Sequence, residues 1–142
     1  MGYELLDEGT FADVAVRCTA DKLEDLFAYN AKALVEIIIQ APFELSDTIV
    51  KKIQLKDEDI DLLLFDYMNE LIYQKDVNNL LLLPGNIQVE KKNSGYMLTA
   101  LMKGDRMSKK CSFNVDVKAA TMHELKVIQN DEGWESFIIL DV

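Results

Sequence analysis

Three oxygen-bearing groups fall where strands are expected to begin or end: Asp13 at the head of "DVAVRC", Asp141 after the apolar run "FIIL", and Val142 beyond it. A C-terminal strand within a sheet can bring its end beside the first strand, gathering both side-chain carboxylates with the terminal carboxylate of Val142. Such a set repels itself unless a cation bridges it. Hard oxygen donors select calcium, magnesium or manganese over zinc. The plainer alternative is a pair of solvated acids beside a frayed end, because termini are commonly loose. Residue types alone leave both readings open.

Lys118, in "VDVKAAT", sits between Val117 and Ala119 in a strand-like stretch. A lysine there neutralises an acid cluster, holds a phosphate, or simply marks the wet face of a strand. His123, the single histidine, stands among apolar residues in "TMHEL" without a Cys or Ser partner, which suits a hydrogen-bonded structural residue. The stretch from Lys103 to Lys110 concentrates Arg106, Lys109 and Lys110 and reads as a solvated loop, with contact to phosphate or to an acidic patch on a partner as the alternative. No phosphate-cradling glycine loop, dinucleotide fingerprint, HExxH or nucleophile–base pairing occurs. A stand-alone catalyst is hard to build from these residues, and the chain is expected not to be an enzyme.

These groups must be positioned by a chain of 142 residues with 49% hydrophobic content, enough for one compact domain, residues 1–142, with a proper core. Acids outnumber bases 25 to 15, for a net charge of −10. That field repels phosphate backbones, so stable direct nucleic-acid binding is not expected, and a partner would be basic or bridged by a cation. Cys18 and Cys111 lack metal-finger spacing and form no disulfide framework, which fits a reducing cytoplasm. The acidic start "MGYELLDEGT" lacks the order of a secretory signal, and no apolar run is long enough to span a bilayer, so neither export nor a membrane is expected.

Val14, Val16 and Cys18 alternate with Ala15 and Arg17 at the period of a half-buried strand. From Asp21 the period lengthens: Leu23, Leu26, Phe27, Asn30, Leu34, Ile37 and Ile38 make an amphipathic helix ending before Pro42, with Asp21 and Glu24 spaced as a capping pair. "TIVKKIQL" reads as an edge strand carrying Ile49, Lys51, Ile53 and Leu55 on one face. Asp57 is expected to open a second helix with Ile60, Leu63, Leu64, Tyr67, Met68, Leu71 and Ile72 as its buried stripe. The remainder is β-rich, with turns expected at Pro84-Gly85, Asn93-Ser94-Gly95 and Asp131-Glu132-Gly133. The pattern predicts an α+β fold, a two-layer sandwich of a mixed β-sheet with both amphipathic helices on one face.

The order and spacing of "TFADVAVR", "DKLEDLFAYNAKALVEII", "LLLFDYMNELIY", "VDVKAATMHELKV" and "FIILDV" resemble the archease family along the whole chain. The resemblance implies a small acidic accessory protein that activates the GTP-dependent tRNA-splicing RNA ligase by promoting its guanylylation and multiple turnover. A chaperone-like modulator of a tRNA-modifying enzyme is the alternative. It also implies that Asp13, Asp141 and Val142 form a metal site, calcium first and magnesium or manganese next, and that Lys118 serves partner activation. The chain departs from the family pattern in having Phe11 between Thr10 and Ala12 with no histidine nearby, Asp105 in place of a glutamate, and Lys110-Cys111 where a later histidine is expected. Those substitutions would change the metal's outer shell, and with it affinity or ion preference.

Overall fold

A computed structural model of the protein describes residues 1–7, 13–40, 45–107 and 113–142. The expected first strand is β2 (Asp13–Ala20), and it pairs antiparallel with β1 (Gly2–Asp7), a strand the acidic N-terminal sequence did not suggest. Tyr3 anchors β1 to the first helix by donating its hydroxyl hydrogen to Glu36 Oε2.

Helix α1 (Leu23–Ile38) follows the expected stripe, but the Asp21–Glu24 capping pair does not form. Its N-cap is Lys22, which makes no side-chain capping bond, and Glu24 Oε2 instead accepts the Val89 N–H at 3.2 Å. Tertiary contact has claimed a carboxylate that local spacing assigned to the helix end. The stripe also carries fully buried Asn30, whose Nδ2 donates to the Leu26 carbonyl at 2.9 Å and to Ser136 Oγ at 3.0 Å, a polar tie between helix and sheet.

Strand β3 (Ile49–Asp57) turns Ile53 into the core and leaves Val50, Lys52, Gln54 and Lys56 exposed, as expected of an edge strand. It runs through Asp57, so the second helix, α2 (Ile60–Asn78), starts later than its acidic lead-in suggested. The helix closes at Asn79 in the left-handed conformation (φ 55°), which asparagine tolerates. Asn79 is fastened to Met107 by paired 2.8 Å bonds, its Nδ2 donating to the Met107 carbonyl and its own carbonyl accepting the Met107 N–H.

Strands β4 (Leu80–Lys92) and β5 (Gly95–Arg106) form a hairpin about Asn93-Ser94, and with β3 they make a three-stranded sheet ordered β3-β5-β4. The expected turn at Pro84-Gly85 is instead a bulge within β4, where the register shifts between Pro84 and Asn86. A Cβ on Gly85 would collide with the Leu101 carbonyl, so glycine lets the strand pass, and proline is tolerated because β4 is an edge.

The second sheet joins β1, β2, β8 (Gly133–Asp141) and β6 (Ala119–Ala120), while β7 (Lys126–Asn130) pairs with the earlier part of β8. Among the described residues every pairing is antiparallel, so the strands form two antiparallel sheets where the pattern suggested one mixed sheet, and only β1–β2, β4–β5 and β7–β8 are joined as hairpins. The whole is the expected α+β sandwich. Both helices touch both sheets, and one main core runs through them, with Phe27 and Tyr67 meeting edge to face at 5.2 Å between the helices. Among the described residues no helix is long and apolar enough to cross a membrane.

Candidate functional site

The β2–β8 ladder sets Asp13 directly opposite Asp141. Because side chains alternate along a strand, both carboxylates share the sheet face of their second neighbours, Ala15 and Ile139. Those two residues, with Phe137 and Leu6, form a small apolar cluster separate from the main core. Two half-buried acids thus stand side by side at the head of a ladder with an apolar floor beneath them. Like charges directly opposite destabilise a ladder, and low-polarity surroundings strengthen the repulsion.

The third strand end arrives from the other side of β8. Strand β6 pairs Ala119 with Asp141, and the Lys118 N–H donates to the Asp141 carbonyl at 2.8 Å. Lys118 is exposed and lies one residue before the strand. The backbones of Asp13 and Lys118 therefore flank that of Asp141 on its two sides. Val142 continues the alternation toward the helices, and its half-buried side chain packs on the main core. What it can offer a cation is main-chain oxygen. Among the described residues no group of three or more His, Cys, Asp or Glu could hold a metal, so a cation here would rest on two carboxylates, main-chain oxygen and further donors.

Residues that sequence reasoning missed hold this corner in place. Asn69 of α2 accepts the Ala120 N–H at 2.9 Å, and Thr121 donates both its N–H, at 2.9 Å, and its hydroxyl, at 3.0 Å, to the Ile139 carbonyl. Lys75, near the end of α2, is buried and donates to Asp116 Oδ1 and to the Val117 carbonyl, both at 2.6 Å. The signal was present: Lys75 lies four residues after Leu71 and three after Ile72, on the apolar stripe where a lysine must find partners.

The other candidates stay apart. His123 is exposed in the turn between β6 and β7. Lys103 to Arg106, expected in a solvated loop, instead form the end of β5, because they pair with β4; Arg106 donates to the Asn78 carbonyl at 3.4 Å, Asp105 accepts from Ser46 Oγ and the Arg106 N–H, each at 2.8 Å, and these bonds hold the Asp105 carboxyl below its ordinary value. Lys109, Lys110 and Cys111 lie outside the described residues. Cys18 is buried in β2, and burial pushes its thiol up to about 12, too high for a nucleophile.

A second acid pair occurs where β3 meets α2. Partial burial pushes Asp66 up to about 6, helped by a hydrogen bond with Asp57 and by that neighbour's charge. Asp57 also lines an open groove of about 710 Å³ with Lys56, Glu58, Lys92 and Tyr96, which involves none of Asp13, Lys118, Asp141 or Val142.

Fold and site together define a small α+β sandwich that presents two strand-end carboxylates and a lysine at one corner. The chain belongs to the archease family: the archease protein family matches it over residues 3–142. It is 28% identical over 133 residues to the protein archease of Pyrococcus abyssi, covering 92% of this chain and 93% of that one. It is 28% identical to the Methanosarcina barkeri protein archease, covering 99% and 95%. The solution structure of Methanobacterium thermoautotrophicum protein 1598 superposes with a TM-score of 0.85 at 24% identity, covering 99% of both chains. The crystal structure of an archease, possible chaperone, from Thermotoga maritima gives 0.63 at 19% identity, covering 94% of this chain and 93% of that one.

Proposed function

We propose that this chain is a metal-binding accessory protein that activates a GTP-dependent tRNA-splicing RNA ligase, promoting guanylylation and repeated turnover. Asp13 and Asp141, with main-chain oxygen from Val142, hold one hard divalent cation, calcium first, and Lys118 stands beside it to engage the ligase. The observation that carries this reading is the register of β2 on β8, which sets the two acids opposite one another next to Lys118. Two carboxylates relieve their repulsion by sharing a cation, and a cation so held keeps coordination positions open for donors from a partner. An acidic surface is poorly suited to grasping RNA itself, so the partner supplies the RNA contact. Activation then requires only that the metal-bearing corner bind the guanylylation-competent state of the ligase more tightly than its other states.

The test is a ligation time course under excess RNA. The wild-type chain sustains repeated turnover, while Asp13→Ala, Asp141→Ala and Lys118→Ala fold normally and leave the ligase near its unassisted level. Full stimulation by all three variants would refute the reading.

A second reading, a chaperone-like modulator of a tRNA-modifying enzyme, draws on the exposed Tyr73 and Val77, four residues apart on α2, and on the possible-chaperone description of the Thermotoga relative. It predicts protection of the client from aggregation that survives loss of both acids and of metal.

A further inference from the structure

The peptide unit joining Val117 to Lys118 is held from both of its polar ends. Its carbonyl accepts from Lys75 Nζ at 2.6 Å, and its N–H, that of Lys118, donates to the Asp141 carbonyl at 2.8 Å. A trans peptide is planar with C=O and N–H pointing opposite ways, so these bonds pull the unit from opposite sides and fix the plane from which the Lys118 side chain departs. The flanking chain is held by other means, with Val117 buried in the main core, Asn114 bonded to the Ile37 and Ile38 carbonyls, and Ala120 and Thr121 bonded as described above, so what these two bonds add is the orientation of this one peptide unit. Residues 114–118 form no strand, and the pairing of β6 with β8 spans only Ala119 and Ala120.

Lys75 is equipped for this one task. Its ammonium donates to Asp116 Oδ1 and to the Val117 carbonyl, both at 2.6 Å, and pairs with Asp76 Oδ1 at 2.7 Å, one partner for each of its three N–H groups. Two of these partners belong to the two residues just before Lys118. The side chain is 3% exposed whereas the Asp76 and Asp116 carboxylates are half exposed, so the desolvated partner is the lysine. A buried ammonium is costly unless fully paired, which ties the position of residues 116 and 117 to the position of α2. The same bond keeps Asp116 turned to Lys75, and among the described residues the Lys118 side chain makes no ion pair.

We infer that Lys75 is a positioning residue: by gripping the Val117 carbonyl and the Asp116 carboxylate from α2, it holds the Lys118 backbone against Asp141 and fixes the direction in which the Lys118 side chain leaves this strand end. The consequence for ligase activation rests on the function proposed above, whereas the consequence for the Lys118 backbone does not.

Two readouts on the full-length chain separate them. In Lys75→Met, similar in length but without donors, the Lys118 amide exchanges with solvent at least tenfold faster while amides of the β2–β8 ladder keep their protection. Ligase stimulation falls roughly tenfold, in the range typical of lost supporting bonds around a site, while terbium binding at the acid pair changes less than twofold. Lys75→Met combined with Lys118→Ala stimulates no less than Lys118→Ala alone, because the first acts through the second. Uniform loss of protection across the ladder, or an unchanged Lys118 amide, overturns the positioning role. Full stimulation by Lys118→Ala instead overturns the functional reading and leaves the exchange result to judge Lys75. Should Lys75→Met not fold, Asp116→Ala removes one of the two grips through an exposed carboxylate. A rise of about threefold in exchange at Lys118 is then expected, and no rise contradicts the inference.

Discussion

Two pairs of carboxylates face each other in this molecule, and they deal with their repulsion differently. At the β3–α2 junction, Asp57 and Asp66 meet in partial burial, and below about pH 6 the pair relieves its repulsion by holding a proton, with Asp66 pushed up to about 6. At the β2–β8 ladder head, Asp13 and Asp141 are brought together by strand register, with an apolar floor on one side and Lys118 arriving on the other. The first pair sits between elements adjacent in sequence. The second joins residues from the two ends of the chain, a placement bought only by completing the sheet. Proximity of two acids therefore does not by itself define a function. A proton resolves one pair below about pH 6, and we propose that a cation shared with a partner's site resolves the other.

The largest effect should come from separating these roles in the ligation assay. Asp13→Ala or Asp141→Ala lowers stimulated turnover at least tenfold, whereas Asp57→Asn and Asp66→Asn leave it unchanged; equal losses at both pairs would erase the distinction. Next in size is the response to metal. Calcium at a hundredfold excess over its dissociation constant stabilises the wild-type chain by about 2.7 kcal/mol in thermal or urea unfolding, and the shift disappears in Asp13→Asn/Asp141→Asn but persists in Asp66→Asn.

A smaller effect follows from the proton-sharing pair. The folded chain holds a proton on Asp66 up to a pH of about 6, whereas the unfolded chain releases it near 3.8, so the folded state binds more protons between those values. Stability on this account falls as pH rises from about 4 to about 6 and is level above. Asp66→Asn removes that fall, and because the group is largely hydrated the gain at pH 7 is discounted to about 1 kcal/mol. It vanishes near pH 4, and urea melts at pH 4, 6 and 8 measure it. The smallest effect is at the other pair. Without metal, Asp13→Asn/Asp141→Asn changes stability by less than about 1 kcal/mol, the scale of a single cross-strand pair.

Much of the fold was legible because its core-facing patterns are regular: the alternation from Val14 to Cys18, the helical stripes from Leu23 and from Ile60, and the terminal apolar run of β8. Strand β1 was not, because Tyr3, Glu4, Leu5 and Leu6 carry no clean alternation and gain their order by pairing with β2. Local signals also misled where distant groups competed for the same residues. Glu24 caps a strand amide rather than its own helix, Asp57 ends a strand rather than opening a helix, and Gly85 permits a bulge rather than a turn. The candidate site divides in the same way. The approach of Asp13 to Asp141 and Val142 could be anticipated from strand ends and family resemblance, whereas the place of the Lys118 backbone against Asp141 and the partners of Asn69 and Lys75 depend on how α2 lies against β6, which spacing does not encode even where, as for Lys75, it shows that partners are needed.

The central claim, that Asp13 and Asp141 together hold one hard cation, is tested most directly by calorimetric titration of calcium into the wild-type chain and into Asp13→Asn/Asp141→Asn. The account predicts one site in the wild type and none in the variant. Equal binding by both chains, or no binding by the wild type to calcium, magnesium or manganese, would contradict it.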